Sequence, residues 1–550
     1  MEAIQATPQT IQEVFTKSYL IPDYQRPYLW KKEQCEMLWL DLYDFADTDS
    51  GQNERYFLGN IVLYEEDGCY CVVDGQQRLI TLTLLMRAIF DKVRTYDKLQ
   101  RCLFEFDDET GKNTGVMKIT SQVIGEERDW LERVLIFNQA DGDNHYANNY
   151  RLFKTLIENW LSTADNTALK SFIATLLNRV MLLPIKCGAL DHALTIFETI
   201  NNRGLNLEDT DIFKAKLHKN AASESKEFVS RWNLIEYPKE DIFRVYMHIL
   251  RGREGITEKE SAVRSFFIGY GQASRNSRFN DWRAVTNDIE RVEACQYYYH
   301  CPMDPPDCDN CPRQTACEWL HVLCYYPNQY WQYPVYNYLF KHLGNDGTLT
   351  EEDSEDFSIL LQETIRYCYI KSILYNSVNV IKDTIFKVCA EIWSGGDYAT
   401  HYTDALKDDF KNINRALHDN KFERSVHGLC LLHVYLNKKQ YPLHPLPEDI
   451  HVEHILPKKW NNYDSWTDET YKTDVNKLGN LVILEKKLNI SAQNEFFSRK
   501  QRQYEKSSVI EANMLCQLEQ WDKTALDKRN DRVIKELMKF FRADHYEARR

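Results

Sequence analysis

CYCVVDGQQRLITLTLLMRAIF, residues 69–90, decides how the first third of the chain folds. Residues 69–74 are short, apolar and rich in Val and Tyr, the pattern of a strand. From Gln76 to Tyr96 the chain has no Gly or Pro and is apolar on most faces, which predicts a buried helix. Gly75 alone separates the two. A strand that turns at one Gly into a helix leaves the first helical N–H groups unsatisfied and partly positive. The Gly lets an anion come close and Arg78 adds a forked cationic donor, so the junction suits a phosphate. In the plainer alternative, Asp74 caps the helix while Gln76 and Gln77 tie down a turn.

Working outward, YFLGNIVLY (56–64) predicts a second strand, joined to the first by a turn at residues 65–68. Upstream, LIPDYQRPYLW (20–30) carries Tyr24, Gln25 and Arg26 on a segment that Pro22 and Pro27 keep extended. Residues 9–18 and 33–45 read as helices. From about Gly115 the pattern turns helical, with 150–161 and 167–181 as clear examples. A strand-like VMLLPIKC (180–187) leads to FETINNRGLNL (197–207), which offers Glu198, Asn201 and Arg203 as further polar groups for a nucleotide. Residues 225–300 and 330–440 read as helices with short breaks, and YPLHPLPEDI (441–450) as a linker.

The expectation is an α+β chain, predominantly helical, in three regions: 1–225, 226–445 and 446–550. At 550 residues it exceeds a single compact core. Aromatics at 13% with only 20 Gly and 15 Pro exclude disorder and collagen-like repeats. No basic-then-apolar leader and no apolar run of about 18 residues is present, so the expected compartment is a reducing cytoplasm, with no membrane. The net charge of −14 excludes a wholly basic surface for nucleic acid, but it is uneven. Residues 451–550 hold 19 Lys and Arg against 16 Asp and Glu, so a +3 end follows a −17 body.

That end contains HVEHILPKKW (451–460) and NKLGNLVILEKKLNISAQNEFFSRK (476–500). His451 and Glu453 alternate to one face of a short strand, and His454 points to the other. Gly479–Asn480 starts a second strand, and a helix from near Asn489 carries Lys500. A strand pair followed by a helix is the skeleton of a ββα-metal nuclease finger. The chemistry matches: His454 is a general base of suitable pKa, and Glu453 and Asn489 offer oxygen ligands to Mg²⁺ or Mn²⁺. Asn480 is expected to orient His454, and Lys500 or Arg499 to hold the substrate phosphate.

Between these ends, Cys301, Cys308, Cys311 and Cys317 are packed into 17 residues near 295–320 with Pro and Asp between them. So little apolar content folds poorly by burial, and a Zn²⁺ site or a four-Cys iron–sulfur cluster would supply stability. Unligated thiols are the alternative.

The set IPDYQRPYLW, FLGNIVL, VDGQQRLITL and FETINNRGLNL resembles the N-terminal domain of the GmrSD family of modification-dependent restriction systems. EHILP, GNL and the asparagine-rich stretch running to Phe497 and Lys500 are similar to that family's C-terminal HNH-type domain. The first resemblance implies a ParB/sulfiredoxin-like domain with a nucleoside triphosphate at Asp74, Gly75, Gln76, Gln77 and Arg78, and with Tyr24, Gln25, Arg26, Glu198, Asn201 and Arg203 as companions. The second implies His454 as base, with Glu453 and Asn489 as metal ligands, in an HNH-like finger. The expected function is a nucleotide-regulated, metal-dependent endonuclease acting on DNA, phage-derived and modified or plain, in defence. A homo-oligomer is left open. The alternatives are a nucleotide-sensing switch that binds DNA or a partner without cutting, and an RNA-cleaving abortive-infection toxin.

Overall fold

The computed structural model describes residues 4–47, 54–66, 68–93, 96–123, 128–162, 166–201, 209–268, 278–300, 314–375, 377, 379–437, 449–459, 466–492, 495 and 497–543. The chain divides into two compact units, Met1–Glu236 with Ser277–Thr286, and Tyr237–Asn276 with Asn287–Arg550. It is mostly helical, with one mixed sheet in the first unit, an α+β architecture.

The sheet is built from β1 (Gln5–Ala6), β2 (Gln9–Thr10), β3 (Tyr19–Ile21), β4 (Tyr56–Glu66) and β5 (Cys69–Asp74). After the separate hairpin of β6 (Phe104–Phe106) and β7 (Asn113–Met117), β8 (Ile119–Ser121) and β9 (Val180–Cys187) complete it. The order is β1-β9-β4-β5-β3-β8, with β2 also on β9. β4 pairs antiparallel with β5 and parallel with β9, while β3 runs parallel to both β5 and β8. The Gln76–Val93 helix follows β5 after one residue and is buried on nearly every side. Leu79, Leu82, Leu84, Leu85 and Ile89 have no exposed surface, each stabilising the core by about 1.5–3 kcal/mol. Its two buried threonines are satisfied within the helix: Thr81 donates to Gln77 O at 2.7 Å and Thr83 to Leu79 O at 2.8 Å.

Two local expectations fail. Residues 9–18 form no full helix: Gln9–Thr10 joins the sheet, and a single turn, Ile11–Val14, follows under a Thr10–Glu13 capping box. The region around Gly115 is the β6–β7 hairpin followed by edge strand β8, so helix begins only at Arg128. Exposed strands have little hydrophobic period to announce them.

In the second unit the Lys239–Arg253, Gln332–His342 and Asn379–Ser394 helices pack on one another. β10 (Ile450–His454) and β11 (Leu481–Glu485) form an antiparallel pair against which the Val426–Leu436 helix packs. Gly479–Asn480 lies in a tight turn, Leu478–Asn480, just before β11. The helix expected from Asn489 to Lys500 is two helices, Lys486–Ala492 and Phe497–Tyr504. Residues 441–448 of the expected linker lie outside the described residues. Among the described residues no helix is long and apolar enough to cross a membrane.

Candidate functional site

In the first unit, backbone clearance shapes the site. Gly75 has φ +91°, and a Cβ there would come within 2.4 Å of Ile61 Cγ2, so only Gly fits between β5 and the helix. Gly59 on β4 plays the matching part: its missing side chain leaves room for the Arg78 guanidinium, which donates from Nη1 to Asn60 O at 2.5 Å. Arg78 also lies 3.9 Å from Asp74. Burial pushes the Asp74 carboxyl up, with Arg78 opposing it.

The glutamines join the two motifs. Gln77 donates to Pro27 O at 3.0 Å and accepts from Leu29 N at 2.8 Å and Trp30 N at 3.2 Å. Gln76 donates to Arg26 O and Gln25 to Val73 O, both at 3.1 Å. Gln77 is thus a clamp on the 27–30 backbone. Gln76 is 7% exposed, and its buried Oε1 has no hydrogen-bond partner among the described residues.

A cavity of about 310 Å³ opens at this junction, lined by Gln25, Arg26, Asp74, Gln76, Arg78 and Asp211 among others. Arg26 Nε pairs with Asp211 Oδ2 at 3.2 Å. Asp211, in the first turn of the Asp209–Ala221 helix, was not anticipated, nor were Trp30 and Phe197, which also line the cavity. Trp30 and Phe197 stood inside quoted motifs, whereas nothing local marked Asp211. Tyr24 is a correction. It is 3% exposed, packs in the core with Val62 and Cys71, sets its ring 5.1 Å from His218, and does not line the cavity. β3 ends at Ile21, and the turn that follows at residues 23–25 carries the Tyr24 ring into the core. Glu198 and Asn201 lie on the Leu190–Asn201 helix with side chains outside the described residues, and Arg203 lies outside them altogether.

In the second unit, buried charge shapes the site. β10 carries Glu453 and His454 at its end, with His454 opposite Leu481. His454 Nε2 lies 3.3 Å from Asn476 Oδ1. Burial, aided by Lys458 and Lys500, draws the imidazole down to about 4, so the ring is unprotonated at neutral pH and a weaker base than a free imidazole. Lys500, 1% exposed, donates to Glu453 Oε1 and, at 2.6 Å, to His454 O. Burial pushes the Glu453 carboxyl up and the Lys500 ammonium down, and their contact opposes both. Lys500 therefore holds the strand end and is not presented to a substrate phosphate. Asn489 Nδ2 meets His451 Nδ1 at 3.3 Å.

Asn480 does not touch the His454 ring. Fully buried, it donates to Leu456 O at 3.0 Å and Val475 O at 2.8 Å, and accepts from Leu456 N at 2.7 Å and Trp521 Nε1 at 3.1 Å. It fixes the backbone after His454, and Asn476 is the asparagine at the imidazole. The sequence offered two asparagines four residues apart and no means of telling them apart. Gly479 is required because a Cβ there would sit 2.6 Å from Asn530 Cβ of the Lys523–Phe540 helix. From the same helix, buried Arg529 donates to Gly479 O at 2.7 Å and Leu481 O at 2.8 Å.

Cys301, Cys308 and Cys311 lie outside the described residues, and Cys317, half-buried on the Gln314–Cys324 helix, has its thiol pushed up to about 11 by burial. Among the described residues no three His, Cys, Asp or Glu side chains form a ready-made metal cluster. The donor chemistry of Glu453, Asn489 and His451 nonetheless fits a hard divalent cation, provided Glu453 is shared with Lys500.

Residues 10–218 match the GmrSD restriction endonuclease N-terminal domain, and residues 404–536 the GmrSD restriction endonuclease C-terminal domain. Together they span more than half of the chain, which belongs to the GmrSD family of restriction endonucleases. No curated protein matches it.

Proposed function

We propose that the chain is a nucleotide-regulated, divalent-metal-dependent DNA endonuclease, with a nucleoside triphosphate beside Asp74 and cleavage at His454. In this reading residues 1–225 are a ParB/sulfiredoxin-like nucleotide module, 226–445 couple it to the rest, and 446–550 hold an HNH-like finger. The observation that carries it is the His454 ring, neutral, set by Asn476 and seated at a strand end clamped by Lys500 and Asn480. Such a ring takes the proton of an attacking water at neutral pH. Glu453 and Asn489, with His451 beside them, would hold Mg²⁺ or Mn²⁺, which supplies charge stabilisation at the phosphate and leaving oxygen. In the first unit the helix start, Arg26 and Arg78 bind phosphates, and Asp74 and Gln76 Oε1 accept from the ligand's hydroxyl or amino groups. Zn²⁺ or an iron–sulfur cluster on Cys301, Cys308, Cys311 and Cys317, and self-association, belong to the same proposal and are decided by metal analysis and sedimentation.

The test incubates the purified chain with modified and unmodified phage DNA and with RNA, with Mg²⁺ or Mn²⁺ and with or without each nucleoside triphosphate. DNA is expected to be cut at a rate that nucleotide changes, and His454→Ala to slow cutting by roughly 10²–10⁴-fold. The reading is overturned if no DNA is ever cut or if His454→Ala cuts as fast as the parent. Cleavage of RNA alone would make the chain a toxin. Phage protection lost in Asp74→Ala but kept in His454→Ala would make it a non-cleaving switch.

A further inference from the structure

The segment between the two family matches contains a cavity of about 450 Å³ in the second unit, where residues 260–263 face the start of the Gln332–His342 helix. A charge network fixes its wall. His248, 1% exposed, bonds through Nε2 to Glu260 Oε1 at 3.1 Å and stacks on Tyr333 with ring centroids 3.6 Å apart. Tyr330 donates to the other Glu260 oxygen at 2.7 Å, and Lys382 lies 3.9 Å from that oxygen and over the Tyr330 ring. The cavity's one carboxylate is thus fully engaged.

The groups still turned to the cavity are donors without partners. Arg244 is exposed and makes no hydrogen bond or ion pair among the described residues, although its charge is felt at both His248 and Tyr333. The side chains of Gln329 and Ser261 are likewise unbonded among the described residues. Tyr333 is 4% exposed, and its phenol has no hydrogen-bond partner among them either. Its ring is packed away while its hydroxyl opens onto the cavity, a donor that a ligand can reach.

We propose that this cavity binds a phosphate ester, with Arg244 and the Tyr333 hydroxyl on the phosphate oxygens and Gln329 and Ser261 completing the cradle. The donor set selects the class. Guanidinium, phenol, amide and hydroxyl arrive from different elements, which matches a tetrahedral group with three or four oxygens better than a planar carboxylate. Arg244 brings a positive charge to the lining, which favours an anionic ligand over a neutral one. The volume exceeds that of a bare phosphate, so the group arrives attached to something larger. The same chemistry is found in a phosphodiester of the DNA backbone and in a free nucleotide.

The test uses the full chain in chelator, so that nothing is cut. Anisotropy follows a labelled DNA duplex, and calorimetry follows deoxyadenosine monophosphate. Arg244→Glu is expected to weaken one of the two ligands about tenfold or more, the loss of one charge-assisted contact. Tyr333→Phe, which keeps the ring stacked on His248, is expected to weaken the same ligand about threefold, with unchanged thermal unfolding. Loss for the duplex alone assigns the backbone phosphodiester, and loss for the mononucleotide alone assigns a free nucleotide. The proposal is overturned if both variants bind both ligands as the parent does, including the case in which the parent binds neither.

Discussion

The strand-to-helix junction at Gly75 and the strand end at His454 are both short polar motifs on small β elements, yet they are made rigid in opposite ways. At the first, absent atoms do the shaping: Gly75 and Gly59 clear space, and amide side chains then stitch backbone to backbone. At the second, buried charges do it: Lys500 and Arg529 reach carbonyl groups that no backbone amide reaches. At the clearance site the cations Arg26 and Arg78 line an open cavity although each already has a partner, Asp211 for the one and Asn60 O with Asp74 for the other. A site stiffened by buried charge has already committed its cations to the protein. Membership of a motif therefore says little about contact with a ligand. Gln77 and Asn480 are scaffold, while Arg26 lines the cavity and the His454 ring meets Asn476, the positions the proposed function uses.

The sharpest test of this contrast is Asn480→Ala. Four hydrogen bonds at a fully buried position are lost, leaving Leu456, Val475 and Trp521 groups unmatched. A loss of about 3 kcal/mol or more is expected, seen as a lowered melting transition of the second unit together with lost cleavage. Unchanged melting would mean that the turn is held by something else. A middle-sized effect separates Gln77 from Arg26. Gln77→Ala is expected to cost about 1–2 kcal/mol in urea unfolding by freeing the 27–30 backbone. Arg26→Ala should stay within about 0.5 kcal/mol while nucleotide affinity falls about tenfold. If Gln77→Ala is instead neutral for stability, the division between scaffold and ligand contact breaks.

The smallest expected effect is on pH. Burial holds His321, His427 and His454 down to about 4 and lowers His248, whereas in the unfolded chain each titrates near 6.5. Below about pH 6.5 the unfolded chain takes up protons that the folded second unit refuses until about pH 4, so stability falls across that window. Glu318, pushed up to about 7 by burial, and Glu453, also raised by burial, pull the other way but are two groups against four. In the first unit Asp74, raised by burial, favours the folded state at low pH and loses that contribution as pH rises through its folded value. Calorimetry from pH 7 to 5 should lower the melting of the second unit more than that of the first. Equal shifts would count against the neutral-histidine reading.

Local sequence carried much of this. The strand, single Gly and helix at 69–93 could be read directly because a period of two gives way to an unbroken apolar run at one residue. The β10–β11 pair was readable for the same reason. Asp211 was not, because only the chain's return through the Asp209–Ala221 helix brings it to Arg26. The inward turn of Tyr24 was not legible because β3 ends at Ile21 and the turn at residues 23–25, bracketed by two prolines, has no period to read. Asn480 was given the part of Asn476 because burial, not residue type, decides which amide can meet a ring at the surface. The 244–333 cavity left no motif at all. Its donors come from three separate segments and become a set only in space.

The Lys523–Phe540 helix has a further consequence, in the timing of synthesis. Arg529 and Asn530 supply the bonds that seat Gly479, and Gly479 precedes the asparagine that fixes the backbone after His454. Chains emerge from the ribosome N-terminus first and fold unit by unit as they do. The first unit can therefore fold while much of the second is still being made, whereas the turn after His454 lacks its keystone until residue 530 has cleared the exit tunnel. A nascent chain stalled short of that point carries a finished first unit and an unlocked strand end at His454.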